Sequence, residues 1–215
     1  MSDSTQSTGI VNSGNSSASL VAGTAAPLRM DNQGAQVITP LRGKGYESTF
    51  RGSSFNAANQ AGATTTVGLA TTYTGLCLSN PLGSGVNLVV GKVGVSFLVA
   101  FAAASAVGIM VGYSASSNVT HTTPGTPRNN KYTGGYTGAA LVDVAATLPV
   151  APVVHTLFGA GLTGAITTTP QIPGFLVDME GSLIIPPGGY CAIYTSTASG
   201  ASGMLASIQW DEVAP

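Results

Sequence analysis

Few side chains in this sequence could do acid–base, nucleophilic or metal chemistry, and their spacing is unfavourable for each of these. The chain has two histidines in 215 residues, His121 in a threonine-rich stretch and His155 in the apolar run VVHTLF. A metal site needs several His, Cys, Asp or Glu side chains that converge, and no segment has such a spacing. The G-x-S-x-G motif of many hydrolases does not occur either. We therefore predict no catalytic residue, metal site or cofactor, and we interpret both histidines as structural.

One glycine-rich segment matches a known binding pattern. The residues GAGLTG, 159–164, follow the G-x-G-x-x-G spacing of dinucleotide-binding loops. That loop holds a pyrophosphate only where a helix follows, because the helix N-terminus supplies the N–H groups. Here the β-branched and proline-broken run AITTTPQIPG follows instead. The sequence thus predicts an ordinary loop without a nucleotide.

Two acidic residues, Asp178 and Glu180, stand two positions apart and would share a face of an extended strand. Such a pair could supply half of a calcium site or the two carboxylates of a hydrolase. A turn over residues 179–182 would instead leave both acids in solvent, and we favour this interpretation. The two cysteines, Cys77 and Cys191, are predicted to be buried free thiols, with a single disulfide as the alternative.

The composition argues against two classes of partner. Charged residues make up 7% of the chain and the net charge is −1, against roughly a quarter charged residues in ordinary domains. The few basic residues form no stripe for nucleic acid. Residues 93–111 are uncharged and long enough for a membrane helix, but their glycines, β-branched residues and AAASA break predict two buried strands joined by a tight connection. We expect neither nucleic acid nor a membrane as a partner.

The first 60 residues differ from the rest. Residues 1–26 are rich in Ser, Thr, Gly, Ala and Asn and cannot bury enough apolar surface to fold alone. Residues 27–60 contain short extended pieces, Ala35–Thr39 and Tyr46–Phe50, between glycines and prolines. We predict that residues 1–60 form an extended or partly disordered N-terminal arm, which contact with a partner orders.

Residues 61–215 are predicted to form one all-β domain. Short apolar runs alternate with Gly/Pro turns, and no run carries the signals of a capped helix, which is typical of a sandwich or barrel. The predicted strands are Thr64–Ala70, Gly75–Ser79, Val86–Ala100, Val107–Ser114, Ala139–Ala145, Val153–Phe158, Phe175–Met179, Ser182–Ile185, Tyr190–Thr197 and Met204–Val213.

The last two of these strands are predicted to pair as a hairpin. In Met204–Val213 apolar residues occupy alternate positions and include Trp210, which we expect to anchor the core. Tyr190–Thr197 is apolar on both faces, which predicts a place near the middle of a sheet or at a subunit contact. Within the stretch 114–137 we predict an exposed, adaptable loop around KYTGGYTG, with Arg128, Lys131, Tyr132 and Tyr136.

Three segments resemble one family. LRMDNQGAQVITPLRGKGYESTFRGSSF (28–55), TTYTGLCLSNPLGSGVNLVVGKVG (71–94) and IIPPGGYCAIYTSTASG (184–200) resemble virion structural proteins of tailed bacteriophages, of the head decoration (cement) or head-fibre type. The resemblance implies a jelly-roll-like antiparallel β-sandwich, often a homotrimer, on the capsid exterior after synthesis in the host cytoplasm. It implies no catalytic or cofactor residues.

Two functions follow as expectations. The first is a non-enzymatic protein that stabilises a capsid by bridging neighbouring subunits, with further copies of itself, the major capsid protein or other virion proteins as partners. Its candidate capsid contacts in the arm are Arg29, Arg42, Lys44 and Arg51. The alternative is a tail or fibre module that binds a host-surface glycan or protein through the loop 114–137, where Tyr132 and Tyr136 would stack on sugars.

Overall fold

The computed structural model describes residues 43–101, 103–132, 137–161 and 174–214. These residues are nearly all in strands and connecting segments, with one short helix. The elements are α1 (Tyr46–Arg51), β1 (Ser54–Ala58), β2 (Thr72–Ser79), β3 (Asn87–Phe97), β4 (Ser105–Tyr113), β5 (Thr120–Pro124), β6 (Arg128–Asn129), β7 (Leu141–Thr147), β8 (Val153–Gly161), β9 (Phe175–Ile185), β10 (Gly189–Thr195) and β11 (Met204–Val213).

The strands form two antiparallel sheets that pack as a sandwich. One sheet has the order β6-β1-β11-β3-β9 and the other β5-β7-β2-β10-β4-β8. Eight of these strands have the strand order of a jelly roll, β1-β11-β3-β9 in one sheet and β2-β10-β4-β8 in the other. Each connection along this set crosses from sheet to sheet except the one from β4 to β8, which are paired neighbours in the same sheet. The predicted all-β, jelly-roll-like antiparallel sandwich is confirmed.

An apolar layer lies between the two sheets. It forms because alternate residues of each strand point to the same face, and both sheets turn one apolar face inward. Trp210, predicted to anchor the core, is fully buried there and stacks on Phe55 with 6.0 Å between ring centroids. The largest side chains of this layer include Phe55, Leu76, Leu78, Leu88, Phe97, Ile109, Met179, Ile193, Met204, Ile208 and Trp210.

Residues between β4 and β8 extend both sheets and cover an outer face. Strands β7 and β5 continue the six-stranded sheet beyond β2, and β6 pairs with β1. A second apolar cluster, here called the outer cluster, lies away from the inner layer. Its buried residues are Tyr73, Cys77, Met110, Val119, Ala146, Leu148, Tyr190 and Ala192.

The prediction of an extended piece at Tyr46–Phe50 is wrong, because these residues form helix α1. Gly52 ends the helix with φ 77°, a left-handed conformation that glycine adopts without strain. The N–H groups of Gly52 and Ser53 bond back to Thr49 O and Ser48 O, the pattern of a Schellman cap. Tyr46 and Phe50, one helical turn apart, stack with 5.8 Å between their rings.

The structure also differs from the predicted boundary between arm and sandwich at residue 60. Ser54–Ala58 forms β1, which lies between β6 and β11 in the sheet. Because Phe55 of β1 is buried in the inner layer, β1 is part of the sandwich and not of a separate arm. The unit that contains the sandwich begins at Gly45. Residues 1–42 of the predicted arm, with Ala35–Thr39, lie outside the described residues.

Two further predictions concern single segments. Residues 93–111 form parts of β3 and β4, so the prediction of two buried strands is confirmed, although their connection passes from one sheet to the other. No helix in the described ranges has the length and hydropathy needed to cross a membrane. Thr64–Ala70 was expected as a strand but is irregular, and only the neighbouring Ala63 makes a bridge, to Met204.

The predicted hairpin of the last two strands is wrong. β10 pairs with β2 and β4, whereas β11 pairs with β1 and β3 in the opposite sheet. Residues 196–203 are long enough to cross the sandwich, and β10 needs apolar cover on both faces, which the middle of the six-stranded sheet supplies. The predicted central position of β10 is therefore confirmed.

Candidate functional site

One pair of ionisable side chains joins a buried carboxylate to a partly exposed imidazole at the edge of the six-stranded sheet. Asp143 of β7 is fully buried, and its Oδ2 lies 2.6 Å from His121 Nδ1 on the neighbouring strand β5. The His121 side chain is 31% exposed. The other carboxylate oxygen, Asp143 Oδ1, has no hydrogen-bond partner. This pair is the arrangement closest to acid–base chemistry in the described part of the chain.

Two effects act in opposite directions on the pKa of the Asp143 carboxyl. Burial raises the pKa of the Asp143 carboxyl, because the apolar surroundings disfavour its charged form. The hydrogen bond and the charge of His121 act in the opposite direction and lower that pKa in part. When Asp143 is ionised, His121 Nδ1 carries the proton that is donated to it. The pair thereby fastens the edge strand β5 to β7.

The His121–Asp143 pair lacks a nucleophile. His121 and Ser79 line the same small cavity, of about 30 Å³, which is the volume of about one water molecule in the liquid. Ser79 Oγ donates to Leu141 O at 3.4 Å, and among the described residues no hydrogen bond joins it to His121. A serine nucleophile needs that bond. His155 lies elsewhere, exposed on β8, with its Nδ1 2.7 Å from Thr156 Oγ1.

The two cysteines are free and fully buried, as predicted. Cys77 of β2 pairs in register with Ala192, and Cys191 of β10 pairs with Leu78. The two thiols therefore point to opposite faces of the six-stranded sheet, Cys77 into the outer cluster and Cys191 into the inner layer. Burial raises the pKa of the Cys191 thiol to about 12. A disulfide between them would require one side chain to cross the sheet.

The glycine-rich motif at 159–164 begins within a strand. Gly159 and Gly161 end strand β8, so the prediction that the glycine-rich motif is a loop is wrong for its first half, and Gly164 lies outside the described residues. A side chain at Gly159 would meet the Phe175 ring of β9. This glycine therefore allows β8 and β9 to approach each other.

The acidic residues Asp178 and Glu180 lie on a bulge of strand β9. Lys92 pairs with Asp178 while Val90 pairs with Leu183, so the four residues 179–182 stand opposite the single residue Gly91 of β3. Glu180 has φ 49°, and its N–H donates to Asp178 Oδ1 at 3.0 Å. Both acids are exposed, in agreement with the predicted turn. Three or more His, Cys, Asp or Glu groups that could hold a metal occur nowhere in the described ranges.

The structure places the predicted arm and loop residues as follows. Arg29, Arg42 and Tyr136 lie outside the described residues. Lys44 and Arg51 are exposed, the latter at the end of α1; Arg128 is exposed on β6, Lys131 is half-buried, and Tyr132 is 73% exposed.

The end of α1 and the loop after β6 were predicted as separate sites, and the structure brings them together. Lys131 Nζ donates to Phe50 O at 2.8 Å and lies 4.9 Å from the centre of the Phe50 ring, a distance at which a cation is attracted to an aromatic face. Asn129 Nδ2 donates to Gly52 O at 2.6 Å, which closes the contact.

We call this surface the α1–β6 edge and define it by Tyr46, Phe50, Arg51, Arg128, Lys131 and Tyr132. It combines cations with aromatic rings, which suits anionic or sugar ligands. Tyr132 has φ 54°, a strained conformation for a residue other than glycine. The i, i+4 spacing of Tyr46 and Phe50 was the sequence signal for the helix.

A second surface was missed by the sequence reasoning. Strands β8 and β9 end the two sheets on the same side of the sandwich, within the described residues. Three large apolar side chains there, Tyr113, Val153 and Ile184, are more than half exposed. They line one groove of about 300 Å³, and we call this surface the β8–β9 flank. The sequence reasoning missed the flank because β8 is an apolar run, and its periodicity alone does not show which of its faces another element covers.

Comparisons with known proteins give no family name. No protein-family model, no curated protein and no solved structure matches this chain. The resemblance of the three sequence segments to phage virion proteins therefore stays a prediction.

Proposed function

We propose that this chain is a non-enzymatic structural protein of a virion, which decorates the capsid exterior and stabilises it by bridging neighbouring capsid subunits. The observation that carries the proposal is the β8–β9 flank. Grouped apolar side chains on a folded domain mark surfaces that a partner covers. The jelly-roll order of the strands and the resemblance to virion proteins support the same function.

The physical basis of the proposed binding is area rather than charge. Each fully buried Val, Leu or Ile side chain contributes about 1.5–3 kcal/mol, whereas an exposed ion pair contributes about 0–1 kcal/mol. A preformed sandwich also loses little conformational entropy on binding. Further copies of the chain, as a homotrimer, and the major capsid protein or other virion proteins are the proposed partners. Arg29, Arg42, Lys44 and Arg51 remain predicted capsid contacts.

Co-sedimentation with capsids stripped of this protein tests the proposal. The wild-type chain should pellet saturably with capsids, at a fixed copy number. Replacing one flank residue, Val153→Ser, should weaken binding by roughly 10- to 100-fold, since tenfold corresponds to about 1.4 kcal/mol. The matched control, Val67→Ser, changes the same residue type at an exposed position outside the flank and should bind as the wild type does.

Two outcomes would contradict the proposal. One is the absence of saturable pelleting with capsids, and the other is equal weakening by the flank variant and its control. Circular dichroism and urea unfolding of each variant separate lost binding from lost folding.

A second candidate function is recognition of a host-surface glycan or protein, and a specific observation favours it. Tyr132 projects from the α1–β6 edge with 73% of its surface exposed, beside Lys131. Exposed aromatic rings stack on sugars, and a neighbouring cation adds affinity for acidic ones. Saturable pelleting with host cells that Tyr132→Ala abolishes, without pelleting with capsids, would establish this function in place of the first.

A further inference from the structure

A protein that bridges two capsid subunits needs two separate contact surfaces. The β8–β9 flank supplies one of them, at the side of the sandwich where β8 and β9 end the two sheets. Among the described residues, β5 and β6 end the same sheets at the opposite side. Five strand spacings separate β5 from β8, and at about 4.8 Å for each spacing they lie roughly 24 Å apart. A second contact at the β5–β6 side would therefore be independent of the flank.

A groove of about 300 Å³ lies at this opposite side, and we call it the β1–β5 groove. Three parts of the chain line it: residues 58 and 60–62 at the end of β1, residues 123–126 with Arg128 around the connection from β5 to β6, and Val144 of β7. The lining includes the small residues Ala58, Ala61 and Gly62, so a partner can come close to the main chain there.

One cation, Arg128, lines the groove with no opposite charge beside it. Its guanidinium has neither a hydrogen bond nor an ion pair in the part of the chain that the structure describes, and the residues that line the groove include no acid. Asp143 precedes Val144 in β7, but it is fully buried and bonded to His121. Because a guanidinium can donate two parallel hydrogen bonds to one carboxylate, the groove suits a partner that carries an acidic side chain.

Strand β1 has an unpaired stretch of edge beside the groove. On this edge β6 pairs only with Phe55 and Asn56, although β1 continues to Ala58. Pro127 precedes β6 in the chain, and a proline has no N–H with which to continue the ladder. Within the described residues, the edge of β1 is therefore open at its last two positions.

The backbone of Ala58 faces this open side. Asn59 N bonds to β11, whereas Ser54 O accepts a bond from Asn130 N on the side of β6. Alternate residues of an antiparallel strand direct their backbone groups to the same side, so Ala58 shares the side of Ser54. Its carbonyl accepts a bond from the exposed side chain of Gln60 at 3.1 Å. The main chain of an extended partner could take the place of that side chain.

We propose that the β1–β5 groove binds an extended acidic segment of a neighbouring capsid subunit, which pairs with the open edge of β1 and places a carboxylate against Arg128. Extended peptides bind open sheet edges through main-chain hydrogen bonds. A sugar is a poorer fit, because no aromatic ring is among the residues that line the groove. The inference rests on the proposed function and deepens it, since it names the chemistry of the second contact that bridging requires.

Co-sedimentation with stripped capsids tests the role of Arg128. Arg128→Gln removes the charge and should weaken binding at least roughly tenfold, because the partner's carboxylate loses its charge-assisted hydrogen bonds. The matched control, Lys92→Gln, removes an exposed cation of β3 outside the groove and the flank and should bind as the wild type does. Added salt should weaken binding of the wild type more than binding of Arg128→Gln.

A second variant blocks the groove without changing a charge. Ala58→Trp places a large side chain in the groove and should also weaken capsid binding at least roughly tenfold, because it clashes with the bound segment. Ala201→Trp, in an exposed turn away from the groove, should bind as the wild type does. Urea unfolding of both variants separates a blocked groove from a misfolded chain.

Peptide probes test the chemistry of the groove apart from the capsid. One synthetic peptide alternates threonine and valine around a central glutamate, and the other has glutamine in place of that glutamate. The NMR amide signals of Ala58 and Arg128 should shift saturably with the glutamate peptide, and the glutamine peptide should bind at least roughly tenfold more weakly. Arg128→Gln should abolish this difference. Sialyllactose, an acidic sugar, should leave both signals unchanged.

Three results would overturn the inference: Arg128→Gln or Ala58→Trp that binds capsids as the wild type does, two peptides that bind equally or not at all, and sialyllactose that binds the groove in place of the peptide. Capsid binding that Val153→Ser weakens and Arg128→Gln does not would remove the inference and leave the proposed function standing. Selective binding of the glutamate peptide by a chain that pellets with no capsid would remove the proposed function, while the groove would keep its preference for acidic extended peptides.

Discussion

The inner layer and the outer cluster share strands β2, β4 and β10 but differ in their polar groups. The inner layer consists of apolar side chains from both sheets. The outer cluster includes Tyr73 and Tyr190, and the Asp143 carboxylate lies close enough to Cys77 to affect its pKa. The two faces of one sheet thus have different chemistry.

The difference follows from what covers each face. Between two sheets the backbone N–H and C=O groups already bond along the strands, so apolar side chains complete the layer. On the outer face, irregular backbone has carbonyls that need donors. Tyr73 OH lies 2.9 Å from Ile193 O and 3.2 Å from Leu76 O, next to the bulge of β2, and Tyr190 OH donates to Val150 O at 2.7 Å. Tyrosine supplies both apolar area and the missing donor.

Loss of a large side chain from the inner layer should have the largest effect on folding. We expect Trp210→Ala to lower the free energy of unfolding by about 3–5 kcal/mol, because it removes buried area and leaves a cavity. Leu98→Ala is the control, since Leu98 is exposed and its loss should cost less than about 0.5 kcal/mol. Urea unfolding measures both. If Trp210→Ala lowers the free energy of unfolding by less than His121→Ala or Tyr73→Phe does, the inner layer is not the main source of stability.

The next effect should depend on pH. The pKa of Asp143 in the folded chain is above its ordinary value of 3.8, so the folded chain holds the carboxyl proton more tightly than the unfolded chain does. The stability that this proton contributes is therefore complete below pH 3.8 and is lost as the pH rises through the raised pKa. His121→Ala removes the hydrogen bond that lowers this pKa, so the loss should grow with pH. We expect about 2 kcal/mol at pH 7, below the 3–5 kcal/mol of fully buried pairs, since His121 is 31% exposed. Urea unfolding at pH 7 and pH 4 tests this, and an equal cost at both would contradict it.

A smaller effect should follow from removing one hydroxyl of the outer cluster. Tyr73→Phe keeps the ring but leaves carbonyls of Leu76 and Ile193 without that donor, which should cost about 1–2 kcal/mol. Tyr113→Phe, at an exposed tyrosine, should change the free energy of unfolding by less than about 0.5 kcal/mol. If both changes lower the free energy of unfolding by the same amount, the Tyr73 hydroxyl does not account for the difference between the outer cluster and the inner layer.

No effect at all is expected from a reductant. Since Cys77 and Cys191 point to opposite faces of the sheet, no disulfide between them contributes to stability. The melting temperature should be the same with and without reductant, and the unfolded chain should show two reactive thiols by titration. A lower melting temperature under reducing conditions would contradict the opposite placement.

Local sequence patterns predicted much of this fold, but they did not predict which distant strands pair with each other. The alternation at Met204, Ala206, Ile208 and Trp210 gave the buried face of β11, because a strand places alternate residues on one side. The partner of β11 could not be inferred, because the connection from β10 to β11 crosses from one sheet to the other, whereas a sequence favours pairing of neighbouring strands as a hairpin. β1 was missed for the same reason: its partners β6 and β11 lie 70 or more residues along the chain.

The surfaces were less predictable than the core. Residues Arg128, Lys131 and Tyr132 were identified as exposed or adaptable from composition, but their contact with α1 depends on the pairing of β6 with β1. The lone acid Asp143 in the apolar run LVDVAAT signalled a buried carboxylate only in retrospect, because its partner His121 belongs to another strand.

The opposite placement of the cysteines gives the chain two internal reporters of its own motions. A thiol reagent can modify Cys77 once the cover over the outer cluster opens, whereas Cys191 reacts only when the two sheets part. Proteins open in parts with different free energies, so the two labelling rates, followed separately in Cys77→Ala and Cys191→Ala variants, would rank the opening of one side of the sheet against the other. A bound partner would slow only the labelling rate of the cysteine on the side that it holds closed.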